Sequence, residues 1–187
     1  MSEEENSVLN PETTDDERPL LRVSEDPDFE WVVVHTRPRC EKKFARFCEE
    51  FEMPYYCALQ GRSKFYGNKK VTHYVPLFPG YAFCMVRSTR RYFVRQNQYV
   101  ANVLVVDEQQ KLVDQLLEID RALTAGKNIE VMPMMETGKF VLVKRGPLKG
   151  MEGIVQRIKG RTRVIISVDV IRQSVSVEVD SSDVVLT

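Results

Sequence analysis

The stretch Val141-Leu-Val-Lys-Arg-Gly-Pro-Leu-Lys-Gly-Met-Glu-Gly-Ile-Val155 has apolar runs at both ends and three glycines and one proline between them. Gly146-Pro147 ends the first run, because proline has no N–H group to give to a sheet. Gly150 and Gly153 allow the positive φ or the close backbone approach that a tight corner requires. The stretch therefore predicts a turn that leads from one strand into the next in a small β-barrel.

The chain beyond this stretch contains further strand signals. Val164, Ile166 and Val168 occupy alternate positions, and apolar and polar residues alternate from Val175 to Val179, which is the period of a β-strand. Lys159-Gly160-Arg161 precedes the first of these runs and predicts a hairpin turn. Roughly five short strands in about fifty residues hide their edges best by closing into a barrel. We therefore expect a small β-barrel over residues 138–187.

The preceding part of the chain alternates strand and helix signals. Trp31 to Thr36 is β-branched and predicts a central strand, and Pro38 suits the first turn of a helix that runs to about Glu52. Strands alternating with helices predict an α/β sandwich over residues 30–125. Residues 126–137 have no amphipathic period and contain glycine and proline, so they predict a linker. The expected fold class is α+β, with two domains.

The formal net charge of zero hides a strong asymmetry. Residues 1–30 carry eleven acids and two bases, so residues 31–187 have a net charge of +9. The acidic segment is poor in aromatic residues and cannot bury enough apolar surface to offset its ordering entropy. Residues 1–29 therefore predict a disordered acidic leader. Since this leader does not look like a signal peptide and no apolar run reaches membrane length, we expect a cytoplasmic protein with no membrane partner.

The sequence contains no recognisable catalytic constellation. Its two histidines, His35 and His73, lie in strand-like segments, and there is no nucleophile elbow and no phosphate-binding glycine loop. The four cysteines have neither Cys-x-x-Cys pairs nor metal-ligand spacing, so reduced buried thiols are expected. We therefore expect neither an enzyme nor a bound metal or cofactor.

Three segments, in their order along the chain, resemble the NusG-type transcription factors. They are Trp31-Val-Val-Val-His-Thr-Arg-Pro-Arg39 with Glu41-Lys42-Lys43, the signature Pro76-Leu-Phe-Pro-Gly-Tyr-Ala-Phe83, and a stretch similar to the KOW barrel motif with glycines Gly146, Gly150 and Gly153. The resemblance covers residues 30–187 and implies a NusG-type N-terminal domain followed by a KOW barrel. The Pro-Leu-Phe-Pro sequence and Ile171-Arg172 are closer to the specialised RfaH-like or polysaccharide-operon antiterminators, so the choice between a general and an operon-specific factor stays open.

The resemblance implies a monomer that binds the clamp helices of RNA polymerase and keeps it processive. The positions that match the family's polymerase-binding depression are Phe78, Tyr81, Phe83, Val113 and Leu116. These residues have an alternative interpretation as ordinary core. For the barrel, the resemblance implies a small-subunit ribosomal protein or a termination factor as partner, with Ile171 at the contact position.

Basic residues are concentrated between residues 31 and 95, where thirteen bases face four acids. Such an excess predicts phosphate contacts. The resemblance implies that upstream duplex or non-template DNA beside the polymerase would be the partner. The candidate residues are Arg37, Arg39, Lys42, Lys43, Arg46, Lys69 and Lys70. A solvated helix face is the simpler alternative for the helical members.

A KOW-containing RNA-binding or ribosome-associated translation protein is the alternative function.

Overall fold

The structure is a computed structural model, and it describes residues 21–67, 69–127, 129–134, 138–158 and 160–187. The chain divides into two compact units, residues 1–109 and residues 110–187. The domain limits expected from the sequence, with a linker at 126–137, stay a prediction.

The first unit contains helices and two antiparallel sheets. Its elements are β1 (Phe29–Thr36), α1 (Glu41–Glu50), β2 (Tyr55–Tyr56), β3 (Leu59–Tyr66), β4 (Lys69–Pro76), β5 (Tyr81–Arg87), α2 (Arg91–Arg95) and β6 (Val100–Val105). Four strands form a sheet in the order β2-β5-β1-β6, and β3 pairs with β4 in a separate two-stranded hairpin. This mixture of sheet and helix confirms the α+β class.

β1 is central because it is apolar on both faces. Val32 and Val34 lie in a core cluster with Phe44 of α1 and Val94 of α2. Trp31, on the opposite face of the strand, is also fully buried. The strand predicted at 31–36 is therefore confirmed as a central strand.

The core of this unit also contains three buried cysteine thiols. Cys48, Cys57 and Cys84 are buried and free. Burial raises the pKa of the Cys57 thiol to about 12, and a hydrogen bond to Cys84 together with burial raises the pKa of Cys48. The thiols of Cys48 and Cys57 therefore stay protonated near neutral pH and act as small apolar side chains. Burial was expected for all four cysteines, but Cys40 is only half-buried because it lies at the exposed start of α1.

The start of α1 differs from the prediction. The helix begins at Glu41, because Arg39 adopts a left-handed φ of 60° and the N–H of Cys40 donates to the carbonyl of Arg37 at 3.1 Å in a turn. Pro38 therefore belongs to this turn and not to the helix.

Part of the segment predicted as a disordered leader contacts the first unit. Residues 1–20 lie outside the described residues, but the carbonyl of Arg22 accepts the indole N–H of Trp31 at 2.8 Å. The N–H of Ser88 donates to the carbonyl of Asp28 at 2.9 Å, and the Arg87 guanidinium pairs with Asp26 and Asp28. Asp26 and Asp28 therefore have partners on β5 and just after it, and the extent of the disordered leader stays a prediction.

The second unit contains one long helix and an antiparallel sheet. Its elements are α3 (Gln109–Thr124, whose first residue belongs to the first unit), β7 (Ile129–Pro133), β8 (Lys139–Val143), β9 (Glu152–Ile158), β10 (Arg161–Val168), β11 (Gln173–Glu178) and β12 (Val184–Leu186). The strand order is β12-β8-β9-β10-β11-β7. This sheet is consistent with the expected C-terminal barrel.

One strand of this sheet lies inside the segment predicted as a linker. β7 pairs antiparallel with β11, with Ile129 opposite Val177 and Pro133 opposite Gln173. β7 is an edge strand, where the missing N–H of a proline is tolerated. Pro133 is the last residue of this strand, so residues 129–133 of the predicted linker form β7.

The glycines of the opening stretch have the roles that their spacing predicts. Gly150 has a φ of 87°, which favours glycine. A Cβ at Gly153 would lie 2.5 Å from the carbonyl oxygen of Ile165 on β10, so only glycine fits without a shift. The turn is closed by the N–H of Gly150, which donates to the carbonyl of Val143 at 2.8 Å.

Candidate functional site

The loop between β4 and β5 is held by a buried carboxylate. Glu41, in the first turn of α1, is 6% exposed, and its Oε1 accepts the N–H of Gly80 at 2.7 Å. The carbonyl of Gly80 in turn accepts the N–H of Thr36 at 2.8 Å. Glu41 is one of the residues that resemble the family pattern, but the sequence alone does not predict a role for it at the site. An acid in the first turn of a helix was the available signal.

Tyr81 is the partly exposed aromatic residue of the signature. Its ring stacks on the ring of His35, with centroids 5.2 Å apart and planes inclined by 23°. His35 is exposed and lies opposite Tyr81 in the β1–β5 pair. The two rings form a platform at the end of the sheet beside the Gly80 turn.

The other two aromatic residues of the signature belong to the interior. Phe78 is 1% exposed and Phe83 is fully buried, with the Phe83 ring centroid 6.3 Å from that of Tyr56. The core interpretation therefore describes both side chains in this structure. The apolar depression that the resemblance implies is not open at these two positions.

Val113 and Leu116 lie on α3, in the second unit, and are 1% and 0% exposed. They share the buried face of the helix with Leu112, Ile119 and Ala122. The polar side of α3 contacts its own unit: the Lys111 ammonium lies 2.8 Å from the carboxylate of Asp169. Both predicted contact residues are thus covered in this structure.

The predicted basic residues fall on two separate elements. Arg37, Arg39, Lys42, Lys43 and Arg46 follow one another from the β1–α1 turn onto α1, and all except the half-buried Lys42 are exposed. The Lys43 ammonium lies 5.9 Å from the ring centroid of Tyr99. Lys69 and Lys70 are exposed at the tip of the β3–β4 hairpin. The first five residues form one surface, and the hairpin carries a second.

The side chain of Ile171 is not accessible to a partner in this structure. It ends the short 3-10 turn Asp169–Ile171 and is 7% exposed. Arg172, which follows it, is exposed and has a left-handed φ of 51°. A partner that uses the Ile171 side chain would first have to uncover it.

Residues 29–118 match the family model described as "Transcription termination factor nusG". The matched span begins at the first residue of β1 and includes Glu41, the signature loop and Tyr81. Over these residues the chain is similar to the NusG family. The NusG family consists of non-enzymatic transcription factors, and its members bind RNA polymerase.

Among solved structures, the chain is similar to one titled "Domain interaction in Thermotoga maritima NusG". The two are 20% identical, with a TM-score of 0.47, over 83% of this chain and 96% of that chain. No match was found among the curated proteins. Within the described residues, no helix is long and apolar enough to cross a membrane.

Proposed function

We propose that the chain is a cytoplasmic transcription elongation and antitermination factor that binds the clamp helices of RNA polymerase and promotes processive elongation. The observation that carries this proposal is the NusG-family match over residues 29–118, which contains the whole signature loop. The Glu41–Gly80 hydrogen bond supports it as well, because a fixed loop presents the platform of His35 and Tyr81 without an ordering cost on binding.

Tyr81 makes the first polymerase contact in this proposal. An aromatic ring with a polar tip suits the centre of an interface, where desolvated aromatic anchors supply most of the binding energy. The other predicted polymerase contacts are buried, so the polymerase could reach them only after the protein has rearranged to expose them. They are Phe78, Phe83, Val113 and Leu116.

The basic surface of the β1–α1 turn and α1 contacts DNA on the elongation complex. Arg37 and Arg39 are exposed on a turn, where their side chains can reach a phosphate backbone. Phosphate contacts are independent of sequence and long-ranged, so they would orient the protein and accelerate its association.

The C-terminal sheet recruits a small-subunit ribosomal protein or a termination factor. Ile171 is the proposed contact, and its burial means that partner binding would be coupled to its exposure. This coupling would restrict recruitment to a rearranged state of the unit.

The polymerase contact is tested by Tyr81→Asp. An unpaired charge in a desolvated contact should weaken binding to purified RNA polymerase by about 2 kcal/mol, or roughly thirtyfold. Tyr92→Asp is the matched control, because Tyr92 is an exposed tyrosine of the same unit outside the signature, and it should leave the affinity unchanged. Equal affinities of the folded Tyr81→Asp and unmodified proteins would refute the proposed contact.

A capture experiment separates this function from a ribosome-associated one. The tagged full chain should retain RNA polymerase from a cell lysate. Retention of ribosomes without polymerase would instead favour the translation protein.

A further inference from the structure

The β3–β4 hairpin is a ribbon that is anchored at one end. Leu59, at its base, is 6% exposed and belongs to the core cluster, and Tyr74 packs against the same core. The Tyr74 ring also covers Gly61, where an added Cβ would lie 3.2 Å from it. The eight-residue strands extend from this base by about 25 Å, and residues 61–67 are all exposed.

The hairpin carries positive charge without compensation. Residues 59–76 contain no aspartate or glutamate. Their four permanent cations are exposed and have no ion-pair partner among the described residues; they are Arg62, Lys64, Lys69 and Lys70. A polyanion is therefore the partner that this element complements.

Two large aromatic side chains lie at the tip. Phe65 is 73% exposed and Tyr66 is 61% exposed. Neighbouring residues of a strand project to opposite faces of the ribbon. Phe65 lies opposite Lys70 and Tyr66 lies opposite Lys69. Each face of the tip therefore combines one ring with one ammonium group.

We propose that this tip is a wedge for a nucleic-acid junction, where duplex opens into single strands. One unpaired or terminal base stacks on Phe65 and another on Tyr66, while Lys70 and Lys69 hold the adjoining phosphates. Base stacking on an exposed aromatic ring strengthens binding by roughly ten- to a hundredfold per base. The inference adds a specific DNA structure to the DNA contact of the proposed function. It rests on that function only for the assumption that such DNA is present where the protein acts.

The two faces differ away from the tip. On the Tyr66 face the cross-strand pairs continue as Lys64 with Val71 and Arg62 with His73, so the face stays basic. A continuous basic face suits the duplex arm, whose phosphate density is higher.

The Phe65 face is nearly neutral toward the base of the hairpin. Ser63 and Thr72 lie opposite each other on this face, and their hydroxyl oxygens are 2.9 Å apart in a hydrogen bond with each other. This face therefore takes the single strand, where the ring contributes more than charge does.

The test uses the full chain and a forked DNA with 2-aminopurine at the junction, without polymerase. The fork should bind at least about tenfold more tightly than duplex or single strand of the same length and salt, with a change in 2-aminopurine fluorescence. Phe65→Ala with Tyr66→Ala should remove this preference and the fluorescence change but keep the salt dependence. Lys69→Gln with Lys70→Gln should lower the salt dependence.

The matched control is Phe51→Ala with Tyr92→Ala, two exposed aromatic residues of the same unit outside the hairpin, which should behave like the unmodified protein. Equal binding to all three DNAs, or undiminished fork binding by the folded hairpin variant, would overturn the wedge. Loss of polymerase affinity with unchanged DNA binding in that variant would assign the tip to a protein partner. Because polymerase is absent from the DNA assay, its outcome is independent of the Tyr81→Asp result.

Discussion

At the scale of single residues, Glu41 connects the fold with the candidate site. Its carboxylate is buried and accepts the N–H of Gly80. Replacing Glu41 with alanine would leave this N–H without a partner and should cost about 1–3 kcal/mol of unfolding free energy. Urea unfolding measures the loss, and Glu50→Ala, an exposed acid of the same helix, should change stability by less than about 0.5 kcal/mol. If both variants unfold at the same urea concentration, the carboxylate does not hold the loop.

The residues of the signature also show how far its sequence predicts the site. The proline and glycine spacing predicts a turn before β5, and the aromatic content predicts burial or contact without separating them. The structure separates them, because Phe83 faces the interior while Tyr81 finds the exposed ring of His35. That stack depends on the β1–β5 register, which joins residues 46 positions apart and has no local signal.

At the scale of elements, an ion pair between a buried arginine and an exposed glutamate holds the edge strand β7. The guanidinium of Arg163, on β10, is bonded to the carboxylate of Glu130, on β7, with contacts of 2.5 and 3.1 Å, and its side chain is 9% exposed. Glu130→Ala would leave the guanidinium with Ser176 as its remaining hydrogen-bond acceptor on β11 and should cost about 1–3 kcal/mol of unfolding free energy.

The neighbouring pair of Arg161 with Glu178 provides a matched control. It is exposed on both sides, so Glu178→Ala should cost about 1 kcal/mol or less. Thermal unfolding of both variants measures the difference. A smaller loss for Glu130→Ala than for Glu178→Ala would show that Arg163 finds other partners.

The β7 strand marks the limit of prediction at this scale. Elements with strong local signals, such as the amphipathic helix α3 and the β-branched strands β10 and β11, could be predicted from local sequence. β7 could not, because its residues include Met132 and Pro133, and its pairing with β11 crosses about forty residues of chain. Whether such a segment forms a strand depends on its pairing with a distant partner strand rather than on its local propensity.

At the scale of the whole molecule, the charge of the body is a testable quantity. Replacing Arg37, Lys42 and Arg46 together by glutamine removes three positive charges. For binding to the elongation complex, the slope of log affinity against log salt should fall by about 2–3, because each lost phosphate contact contributes roughly 0.9. A variant with the same charge change in the second unit, at Lys149, Arg157 and Arg121, should keep the slope. An unaltered slope in the first variant would make this surface a solvated face.

We hypothesise that the acidic leader competes with DNA for the basic surfaces, because its net charge is opposite to theirs. Deleting residues 2–20, which contain seven acids and one base, should tighten binding to random-sequence DNA at low salt several-fold by removing a tethered competitor. Residues 21–28 are kept, because they are bonded to the first unit. A leader of equal length with its acids replaced by amides should behave like the deletion. If neither variant binds DNA more tightly, the leader is only a spacer.

The bond between the indole of Trp31 and the carbonyl of Arg22 provides the molecule with an intrinsic optical probe. Trp31 is the one tryptophan of the sequence, and it is fully buried. Its emission therefore reports the seating of the segment around Arg22 on the sheet without an attached dye. Any event that lifts this segment would admit water to the indole and move the emission to longer wavelength, so release of the leader could be followed in real time during assembly with polymerase or DNA.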